Sequence, residues 1–322
     1  MSNSIVALDA RDAFIAPLRG WGRYALELTR NLPSGLIQVY RQPVRGPEVL
    51  WEQISLPARL RRDRVSAVHA PNCFLPLRRP CPGVVTIHDL AFEVYPGDFS
   101  RKTGMKYRFF TPRAARSAER IICVSQYTAD DVCARYGVDP AKVRVVPNAP
   151  SLPIGDLPVP HNDPYLLAVG DVRAKKNLER LIAAWQQLDS GHRLVLAGHG
   201  DMRVPEGVSI TGFLPDAELD ALMRGAALLV HPSLYEGFGL VIAEAMARGV
   251  PVACADATAL PETAGDAAEL FDPLDVDEIA AAIVRALGRA DELSALGRAR
   301  AAGWSWQQTA AQTADVYREL IG

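Results

Sequence analysis

The sequence is short of several things, and each shortage narrows the reading. Cysteines number five, at positions 73, 81, 123, 133 and 254, with no C-x-x-C pair among them. An odd, scattered set argues for reduced thiols and against a disulfide framework or a zinc site. Net charge is nearly absent, at -2, so no general electrostatic pull toward nucleic acid is implied. No apolar run approaches the ~18 residues of a spanning helix. The first residues lack the basic start and apolar stretch of a secretory signal, so a cytoplasmic protein is expected. There is no G-x-x-x-x-G-K-[ST] phosphate loop, and Gly198-His199-Gly200 lacks the third glycine of a dinucleotide fingerprint.

What remains is a globular chain of 322 residues with 49% hydrophobic and 22% charged side chains, long enough for two cores. Short apolar runs alternate with helical periodicity. Strands are predicted at Ile5–Leu8, Ala67–His69, Val84–Ile87, Arg120–Val124 and Val143–Val146. Helices are predicted from Gly20 to about Leu32, near Thr103–Ala118 and near Thr128–Arg135. Continuous apolar strands separated by helices indicate a parallel sheet covered on both faces. Pro147 to Pro164 holds six prolines and fits neither a helix nor a central strand, so it reads as a linker. The alternation then restarts at Tyr165–Val169 and runs to a last helix near Gln307–Leu320. The expected architecture is α/β: two Rossmann-like, doubly wound parallel-sheet domains at about 1–150 and 165–303, with an inter-domain cleft. The expected linker is 151–164, and the helix of 304–322 is expected to pack back on the first domain.

The segment from His231 to Val252 carries the densest chemistry. It runs from a strand, through a loop with Gly237 and Gly239, into a helix beginning near Leu240. Glycines admit close approach of a ligand to the backbone, and a helix start suits an anion. Glu244 lies among Leu240, Val241, Ile242, Ala243, Ala245, Met246 and Ala247, where a carboxylate is costly unless it has partners. A ribose diol would supply them, and so would Arg248 one turn later. The residues alone leave both readings open. Glu236 on the loop is either a solvated acid or an acceptor for sugar hydroxyls. Upstream, Arg173, Lys175 and Lys176 crowd the loop after Gly170, and Asn177 is placed to cap the next helix. This is either a basic turn in solvent or a diphosphate site.

The run Pro232-Ser-Leu-Tyr-Glu236-Gly-Phe-Gly-Leu-Val-Ile-Ala-Glu244 resembles the E-x7-E signature of the family 4 retaining glycosyltransferases. Val169-Gly-Asp-Val-Arg-Ala-Lys-Lys-Asn-Leu is similar to that family's V-G-x5-K-N-L pattern. Gly20-Trp-Gly-Arg-Tyr resembles its G-x-G-R-Y loop, and His88-Asp89 its pair at a strand end. Further likeness runs through Trp51-Glu-Gln-Ile-Ser-Leu-Pro, His69-Ala-Pro-Asn and Cys123-Val-Ser-Gln-Tyr-Thr, so the resemblance covers nearly the whole chain. It implies a GT-B fold in which the first domain binds the acceptor and the second a nucleotide-sugar donor.

The resemblance implies catalytic or active-site roles for His88, Glu236 and Lys176. Gly22, Arg173, Lys175, Gly237, Phe238, Gly239, Leu240 and Glu244 would complete the donor site, and Asp89 lies on the acceptor side. Glu236 takes the sugar hydroxyls, Lys176 the phosphates and Glu244 the ribose, and neither glutamate is a metal ligand. The family arginine after the glycine is replaced by Asp171, leaving Arg173 or Lys175 to take its place. The implied reaction moves a hexose, with mannose from GDP-mannose the first expectation, to a saccharide acceptor in surface-polysaccharide synthesis. No cofactor or metal is expected, and retention proceeds without an enzyme nucleophile. A lipid-linked acceptor and peripheral contact at the inner membrane are further expectations. The basic and aromatic run Arg101–Arg113 either faces anionic lipid or is an ordinary solvated helix face. The rival readings are a hydrolysing nucleotide-sugar epimerase and a non-catalytic partner subunit of a transferase.

Overall fold

A computed structural model describes residues 5–15, 18, 20–41, 47–160, 163–188 and 191–322. The chain forms two compact units, one of residues 1–148 and 305–322, the other of residues 149–304.

Unit 1 is built on six strands: β1 (Val6–Asp9), β2 (Ile37–Tyr40), β3 (Ala67–Ala70), β4 (Gly83–Ile87), β5 (Arg120–Cys123) and β6 (Val143–Val145). Their order is β2-β1-β3-β4-β5-β6, and every pairing is parallel. All four residues of β1 and of β3 are buried, as a sheet covered on both faces requires. Two features lie beyond the predicted strands and helices. The edge strand β2 is only partly buried, so its apolar signal is weak. Residues 48–63 form two short helices joined by a π-helical turn, Trp51–Ser55, that carries Glu52 inward to full burial. The helix Trp306–Ile321 belongs to this unit and packs on the helix Gly20–Asn31 and on β3. Its Tyr317 hydroxyl lies 2.6 Å from His69 Nδ1, and Thr86 Oγ1 lies 2.8 Å from His69 Nε2.

Unit 2 has β7 (Tyr165–Val169), β8 (Arg193–Ala197), β9 (Val208–Ile210), β10 (Leu228–His231), β11 (Val252–Ala255) and β12 (Glu269–Phe271). The order is β12-β11-β10-β7-β8-β9, again all parallel. In both sheets the chain winds one way and then the other. The winding reverses between β1 and β3 in unit 1 and between β7 and β10 in unit 2. Open parallel sheets bind ligands at such points, outside the carboxyl ends of the strands.

The described residues of the Pro-rich stretch form no helix or strand, and His161 and Asn162 within it are not among them. Its first part is fastened to unit 2. Glu244 Oε1 accepts from the backbone N–H of Ser151 (2.5 Å) and Leu152 (2.8 Å). Arg248 donates to the Leu152 carbonyl, Arg224 to the Leu157 carbonyl, and Gly155 N–H donates to Asp220. Asp220 is fully buried and pairs with both Arg224 (2.9 Å) and Arg248 (2.8 Å).

Candidate active site

The reversal point of unit 2 gathers residues from two loops. From the end of β7, Gly170 leads into the turn Ala174–Lys176. From the end of β10, His231 leads into the loop bearing Glu236. Lys176 Nζ lies 2.6 Å from Glu236 Oε1, Lys175 Nζ 4.0 Å from Glu236 Oε2, and His231 Nε2 3.3 Å from Glu236 Oε1. Burial works to raise the pKa of Glu236, but Lys176 and Lys175, helped by His231, outweigh it and hold the carboxyl well below the ordinary range. Burial also pushes His231 down, so at neutral pH it faces the pair as an uncharged ring. The ion pair is therefore maintained at the mouth of a parallel sheet.

Gly170 explains the length of the V-G-x5-K spacing. Its φ is +146°, and a Cβ there would sit 2.8 Å from Lys176 Cε. The glycine leaves the channel through which the lysine stem reaches Glu236. Glu236 N–H is in turn held by Thr258 Oγ1 (3.0 Å). Gly239 adopts φ +92° at the start of the helix Leu240–Ala247 and lies where a Cβ would meet Leu260. Phe238 is buried against Trp304 and its carbonyl accepts from Thr263.

The two candidates for the missing arginine separate. Lys175 is buried and faces Glu236. Arg173 is a third exposed and pairs instead with Asp171, at 3.4 Å. Asn177 does not cap the helix after it. It adopts a left-handed φ of 56° with no side-chain cap bond, and its amide instead donates to the carbonyls of Pro232 and Pro273. It thereby ties the β10 and β12 loops to the basic turn.

Glu244 is buried, as expected, but its partners come from the chain itself: Ser151, Leu152 and Arg248, the last at 3.0 Å. Burial raises its pKa more than these partners lower it. The physical argument that an isolated acid needs a ligand is thus already met internally, and a ribose role for Glu244 rests on the resemblance.

In unit 1, His88 follows β4 and its ring stands edge-on to Tyr24, 4.8 Å between centroids. Its Nε2 lies 2.8 Å from the Pro71 carbonyl, which accepts only from a protonated nitrogen, so Nε2 carries the hydrogen and Nδ1 a lone pair. Burial lowers its pKa. Asp89 Oδ1 accepts from Ala91 N–H and turns the chain into the short helix Ala91–Val94. Gly22 is needed for packing: a Cβ there would be 2.8 Å from the Asp12 carbonyl. Ser125 caps its helix, accepting from Thr128 N–H at 3.1 Å.

Residues 154–300 match the family model for glycosyl transferases group 1, and residues 11–150 match the model for glycosyltransferase family 4. The O-antigen chain mannosyltransferase B of Escherichia coli is 31% identical over 283 residues, spanning 78% of this chain and 74% of the relative. The chain is a family 4 glycosyltransferase. The MMP alpha-(1->4)-mannosyltransferase of Mycolicibacterium hassiacum is 32% identical over 74% of this chain and 66% of its own length. Among solved structures, a sucrose-phosphate synthase from Thermosynechococcus elongatus superposes with TM-score 0.75 at 21% identity, covering 99% of each chain. WaaG, a glycosyltransferase involved in lipopolysaccharide biosynthesis, superposes at 0.70 with 16% identity over 97% of this chain and 99% of its own. The fold is GT-B.

Three contributors to the candidate site are given no role by the sequence reading. His231 is an inconspicuous strand end, Thr258 lies in a distant loop, and Gly170 acts through empty space. One Asp-x-Asp spacing is present, Asp275-Val276-Asp277. Asp275 is occupied as a helix cap, accepting from Asp277 and Glu278 N–H. In the basic run, Lys106 turns inward to Glu48 and Glu52, whereas Met105 and Phe109 are exposed. No helix among the described residues is long and apolar enough to cross a membrane.

Proposed function

We propose that this glycosyltransferase takes a mannosyl group from GDP-mannose and passes it, with retention and without a metal, to a hydroxyl of a saccharide acceptor in cell-surface polysaccharide assembly. The observation that carries the reading is the Lys176–Glu236 pair at the unit 2 reversal point, 2.6 Å apart with Lys175 and His231 beside it. Glu236, held ionised, accepts hydrogen bonds from the donor sugar's hydroxyls. Lys176 and Lys175 are fixed cations for the departing diphosphate, the work a metal does elsewhere. A donor that draws Lys176 toward its phosphates exchanges one anionic partner for another, so the lysine stays paired throughout. The acceptor oxygen attacks from the face the diphosphate leaves, and the proposal includes no enzyme nucleophile. Unit 1 receives the acceptor near His88, whose unprotonated Nδ1 is a hydrogen-bond acceptor.

Support for mannose comes from the named mannosyltransferases of Escherichia coli and Mycolicibacterium hassiacum. A lipid-linked acceptor agrees with the exposed Met105 and Phe109 among basic residues, a surface suited to anionic lipid at the inner membrane. The test is to incubate the purified chain with GDP-mannose, UDP-glucose and a dTDP-deoxysugar, with and without EDTA. Nucleoside diphosphate release and the anomeric NMR signal of the product are followed. EDTA-resistant turnover of GDP-mannose to an α-mannoside is expected. Turnover of another donor alone refutes the donor assignment, and a β-product refutes retention.

A further inference from the structure

Unit 1 has a reversal point of its own, between β1 and β3. Arg11 and Asp12 lie just past the end of β1, on the 3-10 turn Arg11–Phe14. Asn72 lies two residues past the end of β3. Asn72 Nδ2 donates to Asp12 Oδ2 at 2.5 Å and bridges the two strand ends. Among the described residues the cation paired with the other oxygen, Asp12 Oδ1, is Arg11 Nε at 4.0 Å, and the Asp12 side chain is 19% exposed. Asn72 is 6% exposed, yet its Oδ1 has no hydrogen-bond partner among the described residues. Arg11, 4% exposed, likewise has Nη1 unpartnered. Its other end is fixed by Glu52, at 2.8 Å. One buried acceptor, Asn72 Oδ1, and one buried donor, Arg11 Nη1, thus stand unfilled beside the partly exposed Asp12 Oδ1, where an open parallel sheet binds its ligand, and buried polar atoms are rarely left so.

The charge around them is one-sided. Among the described residues, Asp9, Asp12, Glu48 and Glu52 outnumber the cations that act on them, Arg11, Lys106 and Lys102. A phosphate or carboxylate placed beside Asp12 meets a net negative field, whereas a hydroxyl finds acceptors for its hydrogen.

We propose that the turn Arg11–Asp12 together with Asn72 is a subsite for an uncharged sugar ring of the acceptor, with Asp12 as its specificity-determining residue. Asp12 Oδ1 takes a ring hydroxyl, and the cluster's charge rejects phosphorylated sugars and uronic acids at that position. Gly22 supports the subsite by letting the helix Gly20–Asn31 close on the Asp12 carbonyl. This deepens the proposed transfer reaction and rests on it for the word acceptor.

The test uses the full chain, with methyl α-mannoside and mannose 6-phosphate as probes. Binding is followed by saturation-transfer NMR, and both sugars are tried as acceptors with GDP-mannose. The wild type is expected to bind methyl α-mannoside and not the phosphorylated sugar. Asp12→Asn should raise the KM for the neutral acceptor at least tenfold while leaving acceptor-free donor hydrolysis and GDP affinity within twofold. Asn72→Ala, a second variant in case the first fails to fold, should shift KM in the same direction. Equal KM in wild type and folded variants overturns the subsite, and so does mannose 6-phosphate binding as well as the neutral sugar, or no neutral hexoside binding at all. Loss of donor hydrolysis in the wild type instead overturns the donor reading, so the two failures are distinguishable.

Discussion

His69 makes the stability of unit 1 depend on pH in a way that can be worked out in advance. The ring is fully buried in β3, with a hydroxyl at each nitrogen, Tyr317 on one side and Thr86 on the other. Burial pushes its pKa down to about 3. An unfolded histidine titrates near ~6.5. Between those values the unfolded chain binds a proton that the folded chain refuses, so stability falls as pH falls, by about 1.4 kcal/mol per pH unit. At pH 5 the loss from this residue alone is about 2 kcal/mol relative to pH 8. His69→Gln keeps a donor and an acceptor but cannot titrate. Hydrogen exchange of the β3 amides, corrected for intrinsic rates, reads the opening free energy of unit 1 without mixing in unit 2. The wild type should lose about 2 kcal/mol more than His69→Gln between pH 8 and pH 5. Equal losses in the two proteins would refute the reasoning, because they would mean that the imidazole accepts a proton in place.

Lys176→Ala should cut turnover about a hundredfold or more, the scale seen when one charge-stabilising donor is removed, and weaken diphosphate binding in calorimetry; undiminished values would remove the phosphate role. Gly170→Ala should lower activity, because the new methyl lies on the path of Lys176 and the φ of +146° strains any side chain there, and a kcat equal to wild type would show that the channel is not needed. Asp220→Asn should cost about 3 kcal/mol at neutral pH by leaving Arg248 under-paired. Burial raises the Asp220 pKa, but Arg224, Gly155 N–H and Arg248 prevail and lower it. The stability this residue contributes is therefore present above about pH 3.9 and lost as pH falls through the folded value. Urea melts of the variant and the wild type should converge toward acid, and a constant gap would contradict the depressed pKa.

Much of the fold was legible because its strands are buried on both faces and so read as unbroken apolar runs. Tyr165–Val169 is predicted with its observed ends, and Ala67–His69 and Val84–Ile87 within one residue of theirs. What escaped was less apolar or depended on tertiary context. Strand β2 is half-solvated, and the turn around Trp51 is shaped by charge burial. Asn177 looked like a cap because its side chain suits one, yet a left-handed backbone aims it at two distant carbonyls. Glu244 was legible as a buried acid. Its partners were not, since Ser151 and Leu152 lie more than ninety residues away and bond it chiefly through backbone N–H groups, with Ser151 Oγ at 3.5 Å. Lys176 and Glu236 were singled out separately, but their contact required the sheet order that sets β7 beside β10.

Unit 1 is made from two separated stretches of chain, and the second follows the whole of unit 2. On the ribosome, then, the usual order is inverted. Unit 2 is continuous and has all its strands while the helix Trp306–Ile321 is still being made. Until that helix arrives, His69 and Thr86 have no Tyr317 to cover them, and the face of β3 waits open. Domains generally fold in order of synthesis, but here the first unit, though all its strands are made early, is completed last. A nascent chain stalled before Ser305 should expose that face to chaperones and proteases while its second domain is already closed.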